Sequence, residues 1–140
     1  MIKLSSDAGA LSAPFAYPSS VARILVADDA APVRVLLSRH LRAAGHEVIE
    51  AADGMAALRT GSEGGVDLAV IDQLMPGMLG TEIIAAWRED GLDFPVFVLT
   101  AIDDDDTVVH SFELGAADYI RKPVNMAELT ARINGRLRDR

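Results

Sequence analysis

Four short apolar runs that each stop at a reactive polar side chain constrain this chain more than any other feature. Ile24-Leu25-Val26-Ala27 ends on the acidic pair Asp28-Asp29, and Leu68-Ala69-Val70-Ile71 ends on Asp72. Two further runs end at Thr100 and just before Lys122. Short apolar runs bounded by turn signals read as buried strands. If these strands lie parallel in one sheet, three carboxylates, a hydroxyl and an ammonium meet at its carboxyl edge. That edge is where open α/β sheets place their chemistry. Asp72 is followed at once by Gln73-Leu74-Met75-Pro76-Gly77-Met78-Leu79-Gly80. A carboxylate at a strand tip before a Pro/Gly-punctuated loop is held rigidly at a surface, where a structural Asp is seldom needed.

Helical patterns fill the gaps between the runs. After a strand at 23–27, Pro32 suits the first turn of a helix. Val33, Leu36, Leu37, Leu41 and Ala44 would form its buried stripe, and Gly45 can end it. A second strand is expected at 46–51, then a short helix capped by Asp53 and running to about Leu58. The third strand is expected at 67–71, followed by a helix at 81–89 that buries Ile83, Ile84 and Trp87. A fourth strand at 95–99 leads to an acid run, 103–106, that opens a helix ending near Gly115. A short fifth strand at 118–121 precedes a helix capped by Asn125, with Leu129, Ile133 and Leu137 on one face. Five βα units in succession predict an α/β fold with a parallel sheet covered on both faces.

Composition narrows the function. One hundred and forty residues fit one domain. Thirteen basic against 21 acidic side chains give a net charge of −8, which argues against direct nucleic-acid binding or an anionic membrane surface. With no cysteine there is no disulfide and no thiol chemistry, which fits a cytoplasmic protein. No apolar stretch approaches the ~18 residues of a membrane span. Residues 1–20, rich in Ser, Ala and Pro, read as a flexible N-terminal extension, and residues 21–140 as the folded domain.

Taken together, the motifs resemble the receiver domain of bacterial two-component response regulators. The resemblance runs from Arg23 to about Leu137. It is carried by Asp28-Asp29, the stretch from Asp72 to Gly80, Thr100-Ala101, and Gly115-Ala116-Ala117-Asp118-Tyr119-Ile120-Arg121-Lys122-Pro123. It implies a doubly wound, flavodoxin-like five-stranded sheet in the order 2-1-3-4-5. It also implies that Asp72 accepts a phosphoryl group from a sensor histidine kinase or a histidine phosphotransfer protein. Mg2+, for which Mn2+ can substitute, would be held by Asp29, Asp72 and the Leu74 carbonyl, with Asp28 acting through water. Lys122 and Thr100 would bind phosphoryl oxygens, Thr100 and Tyr119 would form the switch, and the Lys122–Pro123 bond would be cis. The expected partners are the phosphodonor and a downstream protein or fused output domain, with homodimerisation open. The domain would catalyse only its own phosphorylation and dephosphorylation, without turnover. Leu74 and Ile102, both apolar, would border the approach of a hydrolytic water and make the phosphoprotein long-lived. After the last predicted helix little sequence remains, so the expectation is a stand-alone receiver or one excised from a larger protein.

Plainer readings accompany each residue. Asp28 or Asp29 can also cap the helix that begins near Pro32. Clustered without a cation, the three acids should repel and raise at least one carboxyl pKa. Thr100 is an ordinary strand-end residue, Tyr119 an ordinary half-buried aromatic, and Lys122 could be a solvated lysine. The acids at 103–106 suit the start of a helix. His40, His46 and His110 show no metal spacing. A haloacid-dehalogenase-like phosphatase also combines Asp, Thr, Lys and magnesium. It needs an acid two residues after the nucleophile, where this chain has Leu74, and a nucleophile on the first strand. A pseudo-receiver that takes no phosphate is disfavoured because all five active-site positions carry competent side chains.

Overall fold

A computed structural model describes residues 21–101 and 104–139. The extension 1–20, Ile102, Asp103 and Arg140 lie outside the described residues. The elements alternate strictly: β1 Arg23–Ala27, α1 Ala31–Ala43, β2 Glu47–Ala51, α2 Gly54–Ser62, β3 Leu68–Asp72, α3 Gly80–Glu89, β4 Val96–Thr100, α4 Asp105–Glu113, β5 Asp118–Arg121 and α5 Met126–Arg138. All four strand pairings are parallel and the order is β2-β1-β3-β4-β5. The fold is therefore the doubly wound, flavodoxin-like one expected.

Two apolar layers hold it together because strand side chains alternate between the faces. Ile24, Val26, Leu68, Val70, Phe97 and Leu99 meet Leu37 and Leu41 of α1 and Leu129, Ile133 and Leu137 of α5. On the other face Leu25, Ala69, Ile71, Val96 and Val98 meet Ala57 of α2 and Ile83, Ile84 and Trp87 of α3. Strands β3 and β4 are buried at every position. Each fully buried Leu, Ile or Val contributes about 1.5–3 kcal/mol. The three central strands therefore supply most of the buried apolar contact, and their ends carry Asp28, Asp72 and Thr100, with Lys122 following the edge strand β5.

Several local expectations are corrected. Leu36 is 48% exposed and Ala44 is exposed, so neither belongs to the stripe of α1. The face that meets the sheet is Leu37, Ser38 and Leu41, three and four residues apart. Ala44 is the C-cap, and Gly45 follows at φ +98°, the left-handed conformation that ends a helix. Helix α2 runs on to Ser62, four residues past the expected end. This is compatible with Gly61 lying flat against the Trp87 ring. Neither acid caps α1. Its N-cap is Ala30, without a side-chain cap, and Asp28 Oδ1 accepts from the Ala30 amide at 2.9 Å. Asp28 lies too early to reach past the N-cap, and Pro32 removes one of the amides a cap would serve. Strands β3 and β4 each start and end one residue later than expected, so Asp72 and Thr100 are the last strand residues rather than the first loop ones.

Candidate functional site

Strand register builds the site. Ala27 pairs with Ile71, so Asp28 and Asp72 follow side by side at the ends of β1 and β3. Asp72 pairs with Leu99, which puts Thr100 one step further along β4. Thr100 pairs with Arg121, which puts Lys122 one step beyond that. Backbone bonds lock these ends, from Asp28 N to Ala51 O at 3.2 Å, from Gln73 N to Leu99 O at 2.9 Å and from Lys122 N to Thr100 O at 2.9 Å. By alternation Asp28, Asp72 and Lys122 share the face of α1 and α5, whereas Thr100 shares the other face with Tyr119.

The side chains then converge. Lys122 Nζ donates to Asp28 Oδ2 at 2.8 Å and to Asp72 Oδ2 at 3.0 Å. Asp28 is 0% and Asp72 6% exposed, so the ammonium neutralises carboxylates that water reaches poorly. The other oxygen of Asp72, Oδ1, accepts from the Leu74 amide at 3.2 Å. Asp29 is exposed at the rim. Carboxylate oxygens of Asp28, Asp29 and Asp72, one from each, lie within 4.8 Å of one another. Thr100 is fully buried, and the Leu74 side chain stands half exposed. The Lys122–Pro123 peptide bond is cis. Ile102, expected beside Leu74, is outside the described residues.

The electrostatics differ in cause from the sequence expectation. The Asp72 carboxyl is raised above its ordinary value, first by burial. Hydrogen bonds from Lys122 and the Leu74 amide oppose this, and repulsion from Asp28 is a smaller push upward. Repulsion was the expected cause; desolvation is the larger one. For Lys122 burial alone would favour the neutral amine, but its bonds to Asp28 and Asp72 outweigh this and raise it above the ordinary lysine value. It therefore stays cationic at neutral pH. An all-oxygen donor set with partial cationic compensation suits a hard divalent ion such as magnesium.

Residues 24–134 match the family described as the response regulator receiver domain. The chain belongs to that family. Among relatives, this receiver is 43% identical over 118 residues to the transcriptional regulatory protein PrrA of Mycobacterium tuberculosis, covering 84% of the chain and 51% of PrrA. It is 39% identical over 116 residues to the alkaline phosphatase synthesis transcriptional regulatory protein PhoP of Bacillus subtilis, covering 83% and 48%. The chain thus spans about half the length of these regulators. Among solved structures, a CheY-like receiver from Methanospirillum hungatei superposes with a TM-score of 0.81 at 28% identity, covering 85% of this chain and 95% of that one. The Francisella response regulator 1452 receiver gives 0.80 at 28% identity, covering 84% and 98%. Receivers of this two-component class are signalling modules and generally bind magnesium in an acidic pocket. Among the described residues no helix is long and apolar enough to cross a membrane.

Two contributors escaped the sequence reading. Arg34 Nη1 donates to the Asp28 carbonyl at 2.7 Å and Nε to Glu50 Oε1 at 3.1 Å, tying the end of β1 to β2. Gln73 points away from Asp72, as alternation predicts, but into a pair of hydrogen bonds with Thr81 at the start of α3. An arginine one turn into a helix and a glutamine after the acid carry no distinctive pattern, so only the fold exposes them.

Proposed function

We propose that this receiver takes a phosphoryl group from a phosphohistidine onto Asp72 and so switches a protein-binding surface. The donor would be a sensor histidine kinase or a histidine phosphotransfer protein, in the cytoplasm. The observation that carries the reading is the convergence of Asp28, Asp29, Asp72 and Lys122 at the ends of three adjacent or near-adjacent strands.

Asp29, Asp72 and the Leu74 carbonyl would hold Mg2+ or Mn2+, with Asp28 reaching it through water. Such an ion would neutralise the carboxylates and the phosphoryl oxygens that approach them. A carboxylate oxygen of Asp72 attacks phosphorus in line, forming the O–P bond as the P–N bond to histidine breaks. The electron pair of that bond leaves with the imidazole nitrogen. Lys122 already bridges two carboxylates, so turning one N–H toward a phosphoryl oxygen moves a charge that is in place before the reaction. Thr100 would donate its hydroxyl to another phosphoryl oxygen. The chain undergoes one transfer per phosphorylation and is not a turnover enzyme.

Thr100 and Tyr119 would carry the switch. Tyr119 pairs with Val98, two residues before Thr100, so both side chains fall on one face of the sheet. Helix α4, next to them, buries only Ser111 among its own residues. An element with so little buried apolar surface opens at low free energy. The receiver unit would span 21–140, with 1–20 as an extension, and its output would be a downstream protein or a fused domain, in a monomer or a homodimer. Incubation with acetyl phosphate and magnesium tests the reading. The wild type should gain one base-labile phosphoryl group, whereas Asp72→Asn, or EDTA, should abolish the gain. Undiminished labelling of Asp72→Asn would remove Asp72 from its role.

A further inference from the structure

Helix α3 starts without an ordinary cap. Its N-cap residue, Leu79, has no side-chain acceptor. Glu82 Oε1 accepts from the Leu79 amide at 2.8 Å, which serves only the backward half of a capping box. The forward half comes from the residue after β3, where Gln73 Oε1 accepts from the Thr81 amide at 2.9 Å. Gln73 Nε2 in turn donates to Thr81 Oγ1 at 3.1 Å. The Gln73 backbone is equally engaged, its N–H donating to Leu99 O and its carbonyl accepting from Gly80 N, both at 2.9 Å. Gln73 is 4% exposed. Gly80 permits the close approach, because a Cβ there would lie 2.9 Å from the Asp72 carbonyl and 3.0 Å from Gln73 Oε1.

We infer that Gln73 is a positioning residue for the phosphoryl-acceptor site, acting through Thr81 to fix the peptide that carries both Asp72 and the Leu74 carbonyl. The inference rests on the function proposed above. The two oxygen donors flank Gln73 directly, and rotation about its backbone would move them relative to each other. Magnesium demands near-ideal octahedral geometry, so small rotations weaken its binding. A residue that merely capped α3 would lower stability and leave the cation affinity of the folded protein alone.

Calorimetric titration with Mg2+ separates the two roles, at a temperature where circular dichroism shows each variant folded. Acetyl-phosphate labelling at saturating Mg2+ supplies the second readout. Gln73→Leu and Thr81→Val should each weaken Mg2+ binding by about tenfold, the lower end for residues that orient metal ligands. The labelling rate at saturation should fall less than the affinity. Thr81→Ser, which keeps the hydroxyl, should stay within about twofold of wild type, since the hydrogen bond and not the methyl is at issue. Wild-type affinity in folded Gln73→Leu and Thr81→Val would overturn the inference and leave the phosphoryl-acceptor reading standing. Thr81→Val, which preserves side-chain shape, decides the matter if Gln73→Leu fails to fold. A wild type that neither binds Mg2+ nor labels would overturn both.

Discussion

Replacing Lys122 by Met tests whether the ammonium is the chief compensation for the buried acids. Lys122 Nζ lies 2.8 Å from Asp28 and 3.0 Å from Asp72, and its side chain is 19% exposed. Removing one partner from a buried ion pair destabilises by about 3–5 kcal/mol, because it leaves charge without compensation. The carboxyl can escape by binding a proton. Each pH unit above its ordinary value of 3.8 adds about 1.4 kcal/mol to the cost of that escape. At pH 8 protonation costs roughly 6 kcal/mol and gives no relief, whereas at pH 5.5 it costs roughly 2 kcal/mol and caps the penalty.

The sign follows from linkage. A carboxyl whose folded pKa lies above its unfolded value binds more protons when folded, so stability rises as pH falls through that interval. The raised lysine has the same sign at higher pH: its contribution is fully present below its unfolded value and lost only as pH rises through its folded one, so it is intact at both pH values. Without metal, Lys122→Met should therefore lose about 3–4 kcal/mol at pH 8 and no more than about 2 kcal/mol at pH 5.5. Urea denaturation in EDTA measures this, read through Trp87, the single tryptophan of the chain. Adding Asp72→Asn to Lys122→Met should recover at least half of the loss at pH 8. A loss that is absent, or equal at the two pH values, would refute the reasoning.

Two helical glycines should respond oppositely to alanine. A Cβ on Gly61 would clash with the buried Trp87 ring, whose Nε1 donates to Leu58 O, so overpacking should outweigh helix propensity and cost about 1–3 kcal/mol in urea denaturation. Gly135 of α5 has only Arg138 Nη2 near that point, at 3.8 Å, so Gly135→Ala should gain about 0.5–1 kcal/mol; the same sign at both positions would contradict the packing argument. Thr100→Ala should still take phosphate at Asp72 but lose most of the hydrogen-exchange change over 105–121 that beryllofluoride, a phosphoryl mimic, induces in the wild type. Equal changes in both proteins would break the proposed coupling.

Sequence periodicity was sufficient for β1, β3 and β4, because each is a short apolar run closed by a polar residue and such runs have few alternatives, whereas the order of the strands came only with the family resemblance. It also located the acids, since a carboxylate at a strand tip before Met75-Pro76-Gly77 has little structural use. Burial on α1 was less legible. Val33, Leu36 and Leu37 are all apolar, yet the helix turns Leu37 inward and leaves Leu36 half exposed. Nothing short of packing distinguishes the two. The cause of the raised Asp72 carboxyl was illegible for a related reason: charge can be counted from sequence, but desolvation depends on what covers the group. The Gln73–Thr81 pair lies furthest from a sequence signal. Its members stand eight residues apart across a loop, and neither has a pattern of its own. Strand alternation sends Gln73 to the face of α3, and the missing acceptor at Leu79 leaves an amide there to be satisfied. The polarity of Gln73 thus complements the apolarity of Leu79: the N-cap that supplies no acceptor is served instead by the residue after Asp72.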